Sequence, residues 1–200
     1  MTEDEIIAVR EMIQETSLRL VKDDFEEYNQ KAREVRPTDH APVITMNNEG
    51  VSFENLKWGF KKWKGSGVIF NARSETLKTV GMFSKCLKAG RCVVPVGEYF
   101  EWERLANGKC KYYVKDKEGN LLYMAGLYRD TGEGREFVII TKDAIGDVAK
   151  IHDRMPVILQ VNQIEAWLSG KLAPEDIVRL GFNVNVFPFA DEENEQLSFF

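Results

Sequence analysis

Between Arg91 and Thr141 the sequence passes through five short apolar or alternating segments: Arg91 to Val96, Tyr99 to Arg104, Cys110 to Lys115, Leu121 to Tyr128 and Glu136 to Thr141. Side chains alternate between the two faces of a strand, so this spacing reads as a succession of strands. Asn107-Gly108, Glu118-Gly119-Asn120 and Thr131-Gly132-Glu133-Gly134 supply the residues that tight hairpin turns need. Strands joined this way pair antiparallel, and a long run of them can curl or close into a barrel. Further strands are expected at Val43-Ile44-Thr45 and Phe53 to Phe60, joined by Asn47-Asn48-Glu49-Gly50, and at Val68-Ile69-Phe70, Met155 to Leu159 and Val184 to Phe187. Helical spacing appears at the margins. Thr2-Glu3-Asp4-Glu5 has the form of a capping box, and the apolar positions from Ile6 to Tyr28 predict one long or two shorter helices over 3–33, closed by Pro37. Leu77 to Leu87, Ile164 to Leu168 and Pro174 to Leu180 read as further helices. With 200 residues, 44% of them hydrophobic, and neither repeat nor linker, the expectation is a single α+β domain over 1–200. Its β centre should be mostly antiparallel and barrel-like, with helices at the periphery.

Several function classes fall away on composition. No apolar run approaches the roughly 20 residues of a membrane-spanning helix, and the acidic opening Met1 to Glu5 is unlike the basic start of a secretory signal. A cytoplasmic protein without membrane contact is expected. Cys86, Cys92 and Cys110 are odd in number and show no CxxC spacing, and His40 and His152 are the only histidines. Free thiols, no metal and no cofactor are therefore expected, with Cys92 a buried strand residue. The net charge of −5 is unevenly spread: residues 57–115 hold 13 Lys/Arg against four Asp/Glu, a net of +9, which leaves −14 for the rest. Such polarity suits a polyanion on one face, although a solvated Lys-rich sheet face would look the same.

Four segments could carry chemistry. Lys57-Trp58-Gly59-Phe60-Lys61-Lys62-Trp63-Lys64 mixes cations with flat rings, the combination that holds single-stranded nucleic acid. It equally describes a strand end with core aromatics and solvated lysines. Phe70-Asn71-Ala72-Arg73-Ser74-Glu75 is rich in hydrogen-bonding groups directly after an apolar strand; Arg73 could grip a phosphate, or else pair with Glu75 while Asn71 and Ser74 cap a helix. In Gly97-Glu98-Tyr99-Phe100-Glu101-Trp102-Glu103, alternation places Tyr99, Glu101 and Glu103 on one face and Glu98, Phe100 and Trp102 on the other. A carboxyl set among aromatics can lose solvent and rise in pKa toward the general acid/base range. His152, in Ile151-His152-Asp153-Arg154-Met155-Pro156, could shuttle protons or simply be satisfied by nearby backbone.

Taken in order, these segments resemble one family, the SRAP (SOS-response-associated peptidase) proteins. Ile69 to Thr76 looks like the "FNARSET" motif, Arg91 to Trp102 like "RCxxPxxGFYEW", and Ile140-Thr141 with His152 to Val157 like "ITxxA" and "HDRMPxIL". Trp58-Gly59-Phe60 is similar to the "WG" strand and Arg36-Pro37-Thr38 to the "xPT" turn, so the likeness runs from about Arg36 to Trp167. The resemblance implies a cytoplasmic protein that binds single-stranded DNA and bonds covalently to abasic sites, without a cofactor, with a self-processing peptidase activity and a lyase-like activity, as a monomer associated with the nucleoid when bound to DNA. It implies Asn71, Glu101 and His152 as catalytic residues. It further implies DNA contacts from Arg73, Arg154, Trp58, Trp102 and Thr141, with Lys61 and Lys62 of the basic segment beside them.

In the family, removal of the initiator methionine exposes a cysteine at residue 2. Its amine and thiol attack the aldehyde of the ring-opened sugar, giving an imine and then a thiazolidine. Here residue 2 is Thr2, and the family's opening Met-Cys-Gly-Arg and its short strand are missing. None of the internal cysteines can replace that residue, because none has a free amine. A start placed too far downstream, a shortened chain, or a relative that lost its reactive terminus would each account for this. Two readings from other classes stay beside the SRAP one: a hydrolase pairing Cys92 with His152, and a non-catalytic β-barrel module that binds single-stranded DNA or RNA.

Overall fold

The computed structural model describes residues 34–47, 50–63, 65–179, 181–182 and 184–189; the helices expected over 3–33 lie outside them. Its strands are β1 (His40–Asn47), β2 (Gly50–Trp58), β3 (Phe60–Lys61), β4 (Val68–Ile69) and β5 (Asn71–Arg73). After a 3-10 turn at Ser74–Thr76 come helix α1 (Gly81–Ala89) and strands β6 (Arg91–Val96), β7 (Glu98–Leu105), β8 (Gly108–Asp116), β9 (Leu122–Thr131) and β10 (Gly134–Asp143). Strands β11 (Arg154–Pro156) and β12 (Ile158–Leu159), helices α2 (Ile164–Leu168) and α3 (Pro174–Arg179), and strand β13 (Val184–Pro188) complete the order.

The main sheet runs β11-β10-β2-β1-β6-β9-β12, and β10 also pairs with β9. The path β2-β1-β6-β9-β10 therefore returns on itself as a ring of hydrogen bonds, the barrel-like centre that the hairpin chemistry predicts. Most pairings are antiparallel, while β10 runs parallel to both β2 and β5. Alternate residues of the ring strands feed two apolar clusters. Ile44, Val93, Leu127 and Ile140 join Phe83, Leu87, Trp167 and Ile177 from the helices, and Val43, Cys92, Met124 and Ile139 pack in a cluster of strand residues. Helices α1 and α2 bury one stripe each, Phe83, Cys86 and Leu87 in the first and Ile164, Trp167 and Leu168 in the second, at i, i+3, i+4 spacing. Arg91 fastens them to the sheet by donating to the carbonyls of Leu87, Trp167 and Leu172 with its guanidinium over the Trp167 ring.

Three departures from expectation have a local cause. Phe53 to Phe60 is broken at Gly59, whose φ of 118° turns the chain into β3. The helix expected from Leu77 starts at Gly81, because the Thr76 and Thr79 hydroxyls donate to nearby carbonyls and favour a turn. Met155 to Leu159 divides into β11 on β10 and β12 on β9. Val157, between them, donates to the Ile140 carbonyl and accepts from the Ala125 N–H.

Strands β7, β8 and β13 form a second sheet in the order β13-β8-β7. Val114 and Val184 on its inner face are buried with Leu122, Val148, Met155 and Ile158. Edge strand β7 is thereby carried beside the loop that precedes β11, which sets up the site.

Candidate active site

Glu101 projects from β7 on the inner face, with Tyr99 and Glu103, while Phe100 and Trp102 point outward, as the alternation predicts. Opposite it stands His152, at the end of the 3-10 turn Val148–Lys150. The backbone fixes this loop: His152 donates its N–H to the Val148 carbonyl, and the Asp153 carbonyl accepts from the Ala144 N–H. His152 Nδ1 lies 3.9 Å from Glu101 Oε2, 3.4 Å from Asp153 Oδ1 and 3.0 Å from the Arg154 backbone nitrogen. When the neutral ring accepts the Arg154 N–H at Nδ1, its proton sits on Nε2. The Glu101 side chain retains only 17% of its exposure. Burial pushes its carboxyl up to about 7; the His152 ring opposes the rise, Asp153 adds to it, and the Trp102 N–H opposes it. Tyr99, on the same face, has its hydroxyl pushed up by burial and by Glu101, and that oxygen has no hydrogen-bond partner among the described residues.

A cavity of about 170 Å³ opens at this pair, lined by Glu101, Trp102, Arg104, Lys109 and His152. Arg104 and Lys109 face each other across the β7–β8 hairpin. Neither was singled out from sequence, although both belong to the basic central segment, and Arg104 shares the outer face with Trp102.

The other expected residues form a neighbouring group around β5. Asn71 and Arg73 are exposed on one side of this three-residue strand and Ala72 is buried on the other. Parallel pairing sets Asn71 beside Ile139 and Arg73 beside Thr141. Thr141 is buried, and its carbonyl accepts from Arg154 Nη2 at 2.8 Å. Arg154 grips Glu75 through both terminal nitrogens, at 2.6 and 3.0 Å, and also bonds Asp143. That grip holds the Glu75 carboxyl down to about 2. Glu75 thus pairs with Arg154 and leaves Arg73 without an ion pair among the described residues; no side chain caps the 3-10 turn there. Arg154 joins the two groups, since its backbone bonds the His152 ring while its guanidinium spans Glu75 and Thr141.

Trp58 stacks on Phe137 at 6.3 Å, meets Phe70 edge-on, and donates its indole N–H to the Phe70 carbonyl at 2.9 Å, directly before Asn71. It therefore backs β5, with part of its ring still accessible. Lys61 and Lys62 are exposed at the base of the β3–β4 hairpin, where Trp63 is 94% exposed. Cys92, by contrast, has no exposed surface, and burial pushes its thiol well up. A hydrolase built on Cys92 and His152 has no reachable thiolate at that position.

The model of the SOS response associated peptidase (SRAP) family matches residues 4–186. The chain belongs to the SRAP family. It is 35% identical over 150 residues to the abasic site processing protein YoqW of Bacillus subtilis, an alignment covering 68% of this chain and 67% of that one. To the abasic site processing protein YedK of Escherichia coli it is 27% identical over 150 residues, covering 70% and 68%. Among solved structures, a phage-related protein from Bordetella bronchiseptica superposes with a TM-score of 0.66 at 26% identity, over 79% of this chain and 81% of that one. Within this SRAP chain, the position of Thr2 lies outside the described residues.

Proposed function

We propose that this SRAP chain processes abasic sites in single-stranded DNA, with the bared sugar seated between Glu101 and His152. One observation carries the reading: a carboxyl raised to about 7 and an imidazole share a cavity of about 170 Å³ walled by an indole and two cations. Sites for drug-sized ligands span ~300–1,000 Å³. This smaller space favours a sugar without its base.

Opening the sugar hemiacetal requires a proton at the ring oxygen and loss of one from the anomeric hydroxyl. A carboxyl with a pKa near the working pH serves either role, and such groups contribute roughly 10²- to 10⁴-fold. Condensation of an amine with the freed aldehyde then forms a C=N bond and releases water, whose departure again needs a proton. Asn71 and Arg73, side by side on β5, supply donors for the sugar hydroxyl and the flanking phosphate. Arg154 reaches a phosphate only by loosening its hold on Glu75, so its first role is to position the His152 loop against β5. Lys61, Lys62 and the exposed faces of Trp58 and Trp102 complete the strand contacts. The peptidase activity in the family's name is, in this reading, self-processing that bares the chain's own amine.

The test uses single strands with and without one abasic site, under borohydride, which reduces an imine to a stable amine. The expected result is a trapped adduct with the abasic strand, none with the intact strand, and at least tenfold slower trapping by Glu101→Gln. Equal affinity for both strands with no trapped adduct would leave a plain single-strand-binding module.

A further inference from the structure

Beyond Trp102, Arg104 and Lys109, which wall the cavity, the outer face of the β13-β8-β7 sheet has no part in the chemistry above, yet its composition is unusual. By register, Phe100, Trp102 and Arg104 of β7 lie beside Tyr113, Lys111 and Lys109 of β8, and Phe187 of β13 lies beside Tyr113, with Phe189 following. The described core packs on the opposite face, through Val114 and Val184. The rings form two pairs: Tyr113 and Phe187 stack at 5.2 Å and 12°, and Phe100 meets Phe189 edge-on at 5.8 Å. Cations sit over them. Lys111 Nζ lies 3.8 Å from the Phe100 centroid and 4.5 Å from that of Phe189, and Lys115 Nζ lies 5.0 Å from Phe187 and 5.3 Å from Tyr113.

We propose that this face is a second platform for single-stranded DNA, carrying the strand onward from the abasic-site cavity. Four cations (Arg104, Lys109, Lys111 and Lys115) stand against one carboxylate, Glu98, on these two strands' outer positions, so the charge complements a polyanion. Interleaved rings and cations on a sheet face hold single strands without reading sequence; here Trp102 and Phe189 are exposed and Phe100, Tyr113 and Phe187 half-buried. The face is also continuous with the site: Trp102, Arg104 and Lys109 line the cavity at Glu101 and belong to the outer face of the β7–β8 hairpin. A strand leaving the cavity over the β7 edge meets Phe100 and then the Tyr113–Phe187 stack. Lys111 also reaches Glu34 at 3.3 Å, an exposed pair that a phosphate can replace.

This inference rests on the proposed binding of single-stranded DNA, and strand length separates the two. Strands of about 5 and about 15 nucleotides, each with a central abasic site, fall near the two ends of the ~4–16-nucleotide footprints of such platforms. The parent should bind the longer at least about tenfold tighter. Lys115→Glu and Phe187→Leu, the latter keeping apolar bulk without a flat ring, should each remove about fivefold or more of that gain and leave the short strand's affinity unchanged. A parent that binds both lengths equally, or variants that keep the full gain, would overturn the platform while the cavity reading stands. Failure of the parent to bind either strand would overturn both. If the variants alter self-association in sedimentation and keep the gain, the face joins copies of the chain and the proposal is wrong.

Discussion

Glu101 sits where an apolar side chain would be less costly. A carboxyl that loses its water favours the neutral form, and here that preference brings it to about 7, against a nearby His152 that opposes the shift. The same shift makes stability depend on pH. A group whose folded-state pKa lies above its unfolded value contributes stability that is full below about 4.5 and is lost as pH rises through about 7. The loss is on the order of 3 kcal/mol at its upper bound, at 1.36 kcal/mol per pKa unit. Glu101→Gln removes the ionisation, so its melting temperature should exceed the parent's by several degrees at pH 8, with the gap closing near pH 4.5. Calorimetry at the two pH values checks this. A constant difference would mean that Glu101 is solvated in the fold and unsuited to proton transfer at neutral pH. Glu75 shows the opposite case: Arg154 holds it down to about 2, but half its side chain is in solvent, so little stability follows.

Strands and turns were largely legible in the sequence, because each hairpin states its own register through period-two alternation and its turn residues. The ring closure was not. The β9–β10 hairpin follows from its turn residues, but nothing local announces that β10 also pairs with β2, β5 and β11, since parallel and long-range partners are chosen by the assembled core. Site residues on regular strands, Glu101 among them, could be placed on a face from sequence, whereas the bond from Arg154 to Glu75 joins residues 79 positions apart and had no local signal. One glycine within a ring strand marks a close approach of its neighbours. A Cβ at Gly126 of β9 would come within 2.9 Å of both the Cys92 sulfur on β6 and the Val138 carbonyl on β10. Those two strands flank β9 in the ring. Gly126→Ala should therefore destabilise by about 1–3 kcal/mol, the usual cost of overpacking. Denaturant melts measure it, and an unchanged midpoint would show that the ring yields more easily than this packing implies.

For the whole molecule, the +9 balance of residues 57–115 divides once the fold is known. Arg91 is bound to three backbone carbonyls, and Lys78 is paired with Glu175. Besides Lys57, Lys85 and Lys88 on β2 and α1, four exposed residues, Lys62, Arg73, Arg104 and Lys109, carry no ion pair among the described residues. These four lie on the hairpin after β3, on β5 and on the β7–β8 hairpin, the elements that bear the proposed strand contacts. A protein of net charge −5 can bind a polyanion only through such a local excess, and salt should report how many of these cations meet phosphate. Each phosphate neutralised on a single strand steepens the fall of log affinity with log salt by about 0.7. Four contacts give a slope near −2.8. Lys62→Gln, remote from Glu101 in the chain and outside the cavity lining, should flatten the slope by about 0.7 while leaving the preference for an abasic over an intact strand unchanged. Arg73→Gln should flatten it similarly and also weaken that preference, because Arg73 neighbours Asn71 on the strand proposed to face the sugar. Titrations at several salt concentrations decide both. Parent and Lys62→Gln lines of equal slope would remove Lys62 from the strand path. A salt-independent parent would mean that the polarised charge serves some partner other than DNA.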